Sequence, residues 1–225
     1  MSVTYAVVNQ KGGVGKTTTT VNLAAYLAAF GKKILLIDID PQSNATVGLG
    51  VDRTAINRCL YNVLIEGAAL DEIIIKSPIA NLDVLPATPR LAGAEVELVT
   101  LDGREHRLKH ALAPHKEKYD IILLDCPPSL SLLTVNALTS ADEVIIPIQC
   151  EYYALEGISQ LTHTLELVRE SLNPQLKIRG IVLTMHDPRT LLSAQVTEEA
   201  RKYFGSKVFN TVIPRNIRLA EAPSF

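Results

Sequence analysis

The sequence predicts an α/β fold in which a doubly wound, mostly parallel sheet is flanked by helices. Apolar runs of strand length recur along the 225 residues, with helical stretches between them, and this alternation is typical of parallel sheets. The runs Ile34-Leu35-Leu36-Ile37 and Ile121-Ile122-Leu123-Leu124 are continuously apolar, as expected for strands that are covered on both faces. Another apolar run, at residues 3–8, leads into a glycine-rich loop and then a helix. This is the order that a phosphate-binding loop (P-loop) requires.

Seven strands are predicted from apolar, β-rich runs. These are residues 3–8, 33–38, 82–86, 121–125, 143–147, 178–184 and 208–212. The other periodic stretches predict helices. These are residues 16–30, 54–65, 89–99, 104–113, 131–139, 154–172, 190–204 and 215–222. Ligands of such sheets bind at the carboxyl ends of the strands, so the residues that follow strands are the first candidates for a site.

Length and composition indicate a globular protein of a reducing compartment. Hydrophobic residues make up 47% of the chain and charged residues 20%, which is a soluble balance, and the length suits one domain over residues 1–225. There is no apolar run of about 18 residues for a membrane span, and the start does not have the pattern of a signal peptide. The three cysteines are widely spaced and form no C-x-x-C pair, which favours the cytosol over a disulfide or zinc framework.

Charge is distributed unevenly along the chain. The net charge of −2 gives no general case for nucleic-acid binding, but residues 177–225 hold eight basic and four acidic residues and so carry a charge of +4. Such an asymmetry can mark a basic face that binds nucleic acid. It is also the pattern of an ordinary solvated surface, and the sequence leaves both interpretations open.

The strongest motif is Asn-Gln-Lys-Gly-Gly-Val-Gly-Lys-Thr-Thr-Thr-Thr at residues 9–20. Glycines let the backbone approach a phosphate closely, and the N–H groups at the start of the following helix face an anion. In this pattern Lys16 reaches the terminal phosphates and the Thr17 hydroxyl binds Mg²⁺. The predicted nucleotide-binding residues of the loop are Lys11, Gly12, Gly13, Val14, Gly15, Lys16, Thr17 and Thr18.

One position of this loop departs from the ordinary pattern G-x-x-x-x-G-K-[ST]. Position 10 is Gln10, where that pattern needs glycine, and Lys11 follows it. The loop therefore has two lysines five residues apart. One lysine neutralises phosphate in the usual way, and the second requires a separate role.

Acidic residues stand at the ends of two predicted strands. Asp38 and Asp40 are two residues apart at the end of the second strand, so they share one face of an extended chain. Such a pair needs a cation nearby, although Asp40 before proline is also good turn chemistry. Asp125 follows four apolar residues, which is the Walker B pattern of a carboxylate that holds Mg²⁺ through water. These patterns predict Thr17 and Asp125 as metal ligands, whereas Lys16, Mg²⁺ or a water-bridged cation could each supply the positive charge beside Asp38 and Asp40.

Together these motifs resemble those of the ParA/Soj chromosome- and plasmid-partitioning ATPases, over essentially the whole chain. The residues that carry the resemblance are K-G-G-V-G-K-T-T-T, D-I-D-P-Q-S-N-A-T, L-L-D-C-P-P-S-L, P-I-Q-C-E-Y-Y-A-L-E-G, L-T-M-H-D and I-P-R-N-I-R-L-A-E-A-P-S-F. The first is similar to the deviant Walker A motif, which this family shares with the division-site ATPase MinD and the nitrogenase iron protein. The later motifs are more specific to the partitioning branch.

The resemblance implies an ATP-driven switch with ATP and Mg²⁺ as cofactors. In this family two monomers join face to face with nucleotide between them, so an ATP-dependent homodimer is expected. By the motif match Lys11 contacts the partner's nucleotide, Lys16 contacts the bound phosphates and Asp40 positions the attacking water, which makes these three the catalytic residues. The same match adds Asp38 to Thr17 and Asp125 as the residues of the metal site. A lysine that acts across the dimer ties hydrolysis to dimerisation, so the chain alone should hydrolyse ATP slowly.

The resemblance also implies a base site and a protein partner. Met185, Pro214 and Asn216 lie where the family holds adenine. A ParB-type DNA-binding protein is expected to insert a basic peptide at the dimer edge and to stimulate hydrolysis. The chain is expected to be cytoplasmic and nucleoid-associated, with no membrane partner.

Non-specific double-stranded DNA is the other implied partner. Arg189 and Arg218 fall where related proteins use arginines on DNA, and Lys207, Arg201 and Arg215 are the supporting cations. Dimerisation doubles these contacts, which would couple ATP to DNA affinity. Binding that rests on phosphate contacts should fall steeply with salt.

Two features depart from the family, and three alternatives stay open. Position 43 is Ser43, where relatives commonly have glycine, and Phe225 lies within a motif that the family continues, so the family's C-terminal segment is expected to be missing. A MinD-like membrane-associated positioning ATPase would need a C-terminal amphipathic helix with a basic face. An iron–sulfur reductase subunit would need paired cysteines that bridge two subunits. A P-loop metabolic enzyme would need a dedicated substrate pocket and would turn over without DNA or a protein partner.

Overall fold

The computed structural model describes residues 2–151 and 156–222. Within them the strands are β1 (Val3–Val7), β2 (Ile34–Asp38), β3 (Ile75–Lys76), β4 (Leu82–Leu85), β5 (Ile121–Asp125), β6 (Glu143–Gln149), β7 (Lys177–His186) and β8 (Val208–Pro214). They form one sheet in the order β3-β4-β2-β5-β1-β6-β7-β8. Every neighbouring pair is parallel except the short edge pair of β3 and β4, which confirms the predicted α/β class.

The helices of the described residues cover both faces of this sheet. They are α1 (Lys16–Ala29), α2 (Asn44–Gly48), α3 (Leu60–Leu64), α4 (Leu91–Glu97), α5 (Arg107–Leu112), α6 (Leu132–Ser140), α7 (Glu156–Ser171), α8 (Leu191–Phe204) and α9 (Ile217–Glu221). In this part of the chain no helix combines the length and the apolar character that a membrane span needs.

The continuous apolar runs are explained by two cores, one on each side of the sheet. In β2, Leu35 and Ile37 belong to one core, and Ile34 and Leu36 belong to the other, which also contains Ala24 and Ala28 of α1. Successive side chains of a strand point to opposite faces, so a strand between two cores must be apolar at every position. The side chains of β2 therefore alternate between the two cores. The sheet lies between α1 on one face and most of the other helices on the other face.

The strand order gathers the candidate residues at one edge. β1 lies between β5 and β6, and β5 lies between β1 and β2. The register places Asp125, at the end of β5, beside Val7 of β1 and beside Asp38 of β2. The loop after β1 and the acidic ends of β2 and β5 thus meet at the carboxyl edge, where ligands of doubly wound sheets bind.

The structure differs from the predicted elements in several places. β3 and α2 are absent from the sequence-based prediction because two and five residues are too short to show a period. The helix predicted at residues 54–65 is only α3, since the chain at Ile56 is extended (φ −82°, ψ 112°) after one turn of 3₁₀ helix. The first two residues of the helix predicted at 154–172, and the final Pro-Ser-Phe of the last motif, lie outside the described residues.

β6 continues through a proline that the sequence-based prediction treats as its end. Pro147 pairs with Val182 of β7 in register, and its carbonyl oxygen accepts a hydrogen bond from the Asn9 side chain on the opposite side. The last residue pair between β1 and β6 is Val7 with Ile145, so Pro147, which has no N–H to donate, lies beyond the paired residues of β1.

Candidate nucleotide-binding site

The glycine-rich loop after β1 has the backbone shape that its sequence requires. Gly13 and Gly15 have φ angles of 75° and 87°, in the left-handed region that glycine adopts without steric cost. Gly15 is the residue before α1, and no side chain caps the first turn of that helix. The N–H groups of this turn are therefore available to an anion.

Lys16 is folded back over the loop that precedes it. Its ammonium donates a hydrogen bond to the Lys11 carbonyl oxygen at 3.2 Å, and the residue is only 7% exposed. Burial lowers the pKa of the Lys16 ammonium, while the nearby Asp125 carboxylate opposes that shift. Lys11 is half-buried, in contrast. The two lysines thus differ in access, one lying inside the loop and the other at its surface.

Asp125 is held by two hydroxyls of α1. Thr17 Oγ1 donates to Asp125 Oδ2 at 2.7 Å, and Thr20 Oγ1 donates to Oδ1 at 2.9 Å. The carboxylate is fully buried, and this burial raises its pKa to about 6, with the Thr17 and Thr20 hydrogen bonds acting in the opposite direction. The contact between Thr17 and Asp125 joins two of the predicted metal ligands directly.

Asp38 is also fully buried, and it is occupied by main-chain and hydroxyl donors. Its Oδ2 accepts from the N–H and the hydroxyl of Thr46 at 2.8 and 2.7 Å, and its Oδ1 accepts from the Asp40 N–H at 3.1 Å. Burial raises the pKa of Asp38 to about 7, and the charge of Asp125 in the adjacent strand adds to the effect. The prediction of Asp38 as a metal ligand therefore concerns a side chain that already anchors α2.

Asp40 lies beside Asp38 and is 8% exposed. Its Oδ1 accepts from the Gln42 N–H at 2.9 Å, so the turn anticipated at Asp40 is present and does not use both carboxylate oxygens in this contact. Ser43 follows with a φ angle of 56°. That conformation explains why glycine suits this position, since a side chain there costs about 1 kcal/mol or more.

The donor set at this edge suits a hard cation. Thr17, Asp125 and Asp38 offer oxygen atoms, and Mg²⁺ is held by one or two carboxylates together with water and substrate phosphates. Within the described residues no three His, Cys, Asp or Glu side chains form a metal-binding group. The predicted site accordingly relies on the Thr17 hydroxyl and on a bound phosphate as well as on carboxylates.

A cavity of about 250 Å³ adjoins the start of α1. Its lining includes Gly15 and Thr18 from the loop and helix, and Met185, Pro214 and Asn216 from the ends of β7 and β8. The three residues predicted to hold a base therefore lie beside the P-loop. Met185 has a φ angle of 52°, a strained conformation of the kind that clusters at functional sites.

The candidate DNA-binding residues separate into two groups. Arg189, Arg215 and Arg218 follow the carboxyl ends of β7 and β8, whereas Lys207 precedes β8 and donates to the Ile178 carbonyl oxygen near the start of β7. α8 runs between Arg189 and Lys207, and its 14 residues span about 20 Å. Three of the four predicted DNA-binding residues thus lie at the carboxyl edge of the sheet, beside the nucleotide site. Lys207 lies at the opposite edge of the strands.

Two of these arginines are already paired with acidic side chains. Arg189 donates to both carboxylate oxygens of Asp187, at 2.9 and 2.7 Å, which holds the pKa of Asp187 well below its usual range. Arg215 donates to Glu151 at 2.7 Å. The side chains of both arginines are largely exposed, so a polyanion can compete for the guanidinium groups.

Four buried polar residues of the site are missed by the sequence-based prediction. Asn9 bonds to Pro147 and Lys11, Thr20 to Asp125, Thr46 to Asp38, and Thr184 Oγ1 to the Val14 carbonyl oxygen at 2.8 Å. Thr20 had a signal, because it stands one helical turn after Lys16 and so shares its face. Apart from the local bond between Asn9 and the Lys11 N–H, the other contacts join separate elements, and nothing local to the sequence marks them.

Comparisons with known proteins agree with this geometry. Residues 2–178 match a family model described as an AAA domain. The chain is 58% identical to the sporulation initiation inhibitor protein Soj of Bacillus subtilis, over all of this chain and 88% of that protein. It is 56% identical to the chromosome partitioning protein ParA of Myxococcus xanthus, over 96% of this chain and 77% of that protein.

A solved structure is similar over the whole chain. It is a cobyrinic acid a,c-diamide synthase of Mycobacterium smegmatis with bound ADP and magnesium, 37% identical, with a TM-score of 0.91 over 100% of this chain and 92% of that one. The deviant P-loop, the parallel sheet and the full-length identity to Soj and ParA lead to one assignment. The chain belongs to the ParA/Soj family of chromosome- and plasmid-partitioning ATPases.

Proposed function

We propose that this protein is an ATP-dependent DNA-partitioning switch, in which an ATP-bound dimer binds non-specific DNA and hydrolysis releases it. One observation carries the proposal: the two lysines of a single loop differ in access. Lys16 is buried over the phosphate-binding turn, whereas Lys11 is half-buried at the surface of the same loop. A surface lysine next to a phosphate site can act on a second molecule.

The P-loop would hold the phosphates of ATP, and the cavity beside it would hold the base. Main-chain N–H groups from Gly12 to Thr18 face the phosphates, with Lys16 as the point charge. Mg²⁺, bound by Thr17 with Asp125 and Asp38 around it, would neutralise charge on the phosphates. The hydroxyl of Thr17 is already oriented by Asp125, so the site needs little rearrangement to accept the metal.

Dimerisation would complete the catalytic site. Lys11 from each monomer reaches the nucleotide of the other and stabilises the charge that develops on transfer. Asp40 orients the attacking water, which its position beside Asp38 and its electrostatic interaction with Lys16 of the P-loop permit. Hydrolysis by the isolated chain is slow under this arrangement, and a ParB-type protein at the dimer edge accelerates it.

DNA binding is assigned to Arg189, Arg215 and Arg218 at the nucleotide edge. Two copies of this set, brought together by ATP, contact more phosphates than a monomer can, and each added contact steepens the salt dependence. Lys207 lies at the other edge of the sheet and is at most an independent contact. Because it binds DNA of any sequence, the protein would be cytoplasmic and associated with the nucleoid.

A competing function is a P-loop metabolic enzyme, since the M. smegmatis neighbour is named a cobyrinic acid a,c-diamide synthase. Such an enzyme would need a substrate pocket and would turn over ATP without DNA or a second protein. The cavity of about 250 Å³ at the P-loop shares Thr18, Thr19 and Ile213 with a second cavity of about 700 Å³. This second cavity gives the alternative function room for a further substrate.

A DNA-shift titration separates these functions. The wild-type protein is mixed with duplex DNA of arbitrary sequence in the presence of ATP with Mg²⁺, ADP with Mg²⁺ or no nucleotide, at two salt concentrations. The switch predicts binding with ATP alone, weakened by salt. Equal binding in all three nucleotide states would contradict the switch. Hydrolysis of ATP with a small substrate and without DNA would support the metabolic enzyme instead.

A further inference from the structure

We infer that Asn9 is a positioning residue, which fixes the main chain of Lys11 and so directs the Lys11 side chain toward the nucleotide of the second monomer. The inference rests on the proposed function, because it explains how a lysine that acts across the dimer is oriented before the dimer forms.

Asn9 is a buried amide with both ends of its side chain occupied. It is 6% exposed. Its Nδ2 donates to the Pro147 carbonyl oxygen of β6 at 2.7 Å, and its Oδ1 accepts from the Lys11 N–H at 2.9 Å. The amide therefore links the loop to a strand that lies 138 residues away in sequence.

The bond to Pro147 replaces a rung of the sheet. The Val8 N–H donates to the Ile145 carbonyl oxygen at 3.1 Å, which is the last main-chain rung from this segment to β6. In a parallel ladder the next donor to β6 would come two residues later, but the chain turns away at residues 9 and 10. Asn9 supplies the missing donor from its side chain, so the buried Pro147 carbonyl keeps a partner while the chain leaves the sheet.

The second bond closes a turn onto Lys11. An asparagine side chain that accepts from the N–H two residues ahead forms an Asx turn, which fixes that stretch of backbone. The carbonyl of the same Lys11 accepts from the Lys16 ammonium. The main chain of Lys11 is thus held on both sides, by Asn9 at its N–H and by Lys16 at its carbonyl.

This arrangement has a consequence for a group that acts in trans. A long lysine side chain is placed accurately on a nucleotide of another molecule only if its own Cα is fixed. Any displacement of the Cα also displaces the ammonium at the end of the side chain. The phosphate-binding turn itself, with Gly13, Gly15 and Lys16, does not touch Asn9 in any of these bonds. Loss of Asn9 should therefore harm dimerisation more than nucleotide binding by the monomer.

Two variants of Asn9 separate positioning from mere structure. Asn9→Ala loses both bonds. Asn9→Ser loses the reach to Pro147 but keeps an oxygen that can accept from the Lys11 N–H in an equivalent turn. Asn22→Ala is the matched control, because it removes a side-chain amide bond from Asn22 to the Thr18 carbonyl oxygen on the exposed side of α1. Each variant is measured for binding of fluorescent mant-ADP with Mg²⁺, and for dimerisation with ATPγS and Mg²⁺ by sedimentation velocity.

We expect Asn9→Ala to bind mant-ADP within about threefold of wild type while its dimerisation Kd rises about tenfold or more. Asn9→Ser should dimerise within about threefold of wild type, and Asn22→Ala should match wild type. Equal dimerisation by wild type and Asn9→Ala overturns the inference. So does an equal weakening of Asn9→Ser and Asn9→Ala, which would make the Pro147 bond, and hence structure alone, the cause.

The remaining outcomes are also decisive. If Asn9→Ala does not fold, Asn9→Ser decides by itself: dimerisation near the wild-type Kd supports the inference, and weak dimerisation with intact mant-ADP binding overturns it. If mant-ADP binding and dimerisation fall by the same factor in Asn9→Ser, the inference is overturned as well. A wild-type protein that does not dimerise with ATPγS at all contradicts the proposed function instead, which distinguishes the two failures.

Discussion

The ammonium of Lys16 donates a hydrogen bond to the main-chain carbonyl oxygen of Lys11 at 3.2 Å. The lysine that serves the bound phosphates thus stabilises the backbone of the lysine proposed to serve the second monomer. A phosphate that attracts Lys16 competes with this bond and so acts on the segment that carries Lys11. The two lysines are therefore coupled through one peptide group, although their side chains have different tasks.

The two lysines should separate by phenotype. Lys16→Ala removes the buried charge at the phosphate site, and we expect mant-ADP affinity to fall about tenfold or more. Lys11→Ala keeps the carbonyl that Lys16 uses, so nucleotide binding should stay within about threefold while dimerisation with ATPγS is lost. Lys32→Ala, an exposed lysine just beyond the far end of α1, is the control. Loss of nucleotide binding in Lys11→Ala would contradict the division of roles.

Asp40 should be needed for turnover and not for binding. Asp40→Ala is expected to bind ATP and to persist as a dimer on DNA, with hydrolysis reduced about a hundredfold because the attacking water is no longer oriented. Asp40→Asn keeps an acceptor for the Gln42 N–H and controls for the turn. Phosphate release is measured with DNA and the partner protein present. Wild-type turnover by Asp40→Ala would remove Asp40 from the mechanism.

The buried carboxylates Asp38 and Asp125 should make the metal-free protein less stable as the pH rises. Both pKa values lie above their ordinary value of 3.8, at about 7 and about 6, because of burial. Between about pH 4 and pH 7 the folded protein therefore binds protons that the unfolded chain has released, and the free energy of unfolding falls with rising pH. Mg²⁺ favours the charged forms, so it should stabilise more at about pH 8 than at about pH 5.5.

Urea unfolding with EDTA or with Mg²⁺ at these two pH values tests this expectation. Asp38→Asn removes one of the titrating groups and should flatten the pH dependence of the metal-free protein. Asp52→Asn is the control, since the Thr54 hydrogen bonds lower the pKa of that exposed carboxyl rather than raising it. A metal-free wild type that gains stability from about pH 5.5 to about pH 8 relative to Asp38→Asn would show that the sign is wrong.

Thr46 should be a structural support of the acidic edge. Its Oγ1 donates to Asp38 and accepts from the buried Ala87 N–H at 3.0 Å. Thr46→Val keeps the shape but leaves both groups without this partner, so we expect a loss of about 2–3 kcal/mol in the free energy of unfolding. The control is Thr100→Val, at an exposed threonine bonded to the Glu97 carbonyl oxygen. An effect under about 0.5 kcal/mol would mean that the site relaxes around the change.

Asp187 should restrain Arg189 from DNA. Asp187→Asn removes the charged partner of a guanidinium whose side chain is 86% exposed, so ATP-dependent DNA affinity should rise about threefold at low salt, with a steeper salt dependence. Arg189→Glu should weaken DNA binding about tenfold and leave ATP-dependent dimers intact. Asp102→Asn changes an exposed residue outside this edge by the same charge. Equal gains in Asp187→Asn and Asp102→Asn would attribute the effect to net charge alone.

Local sequence patterns are sufficient for the strands and the phosphate loop. β2 and β5 are visible because both faces of each strand are buried, and that burial requires an unbroken apolar run. The P-loop is visible because Gly13 and Gly15 adopt φ angles that other residues avoid. The glycine expected at position 43 has the same explanation, because Ser43 also has a positive φ angle. That reason is visible only once the backbone is known.

The short elements and the long-range contacts could not be predicted. α2 and β3 are too brief to show a period, and tertiary contacts hold them: Asp38 accepts from Thr46 of α2. Lys207 and Arg189 lie in one basic stretch of sequence, yet α8 separates them and leaves them at opposite edges of the sheet. A charge count along the chain has no information about that reversal of direction.

The sequence by itself determined the fold class, the phosphate loop and its two lysines, and the acidic residues at the strand ends, because each depends on neighbours within a few positions. Only the tertiary structure decided how those residues are held. Asn9 meets Pro147, Thr184 meets Val14, and Thr20 meets Asp125 across 138, 170 and 105 residues. Side-chain hydrogen bonds of this kind depend on which strands lie side by side, and strand order is a property of the whole packed sheet.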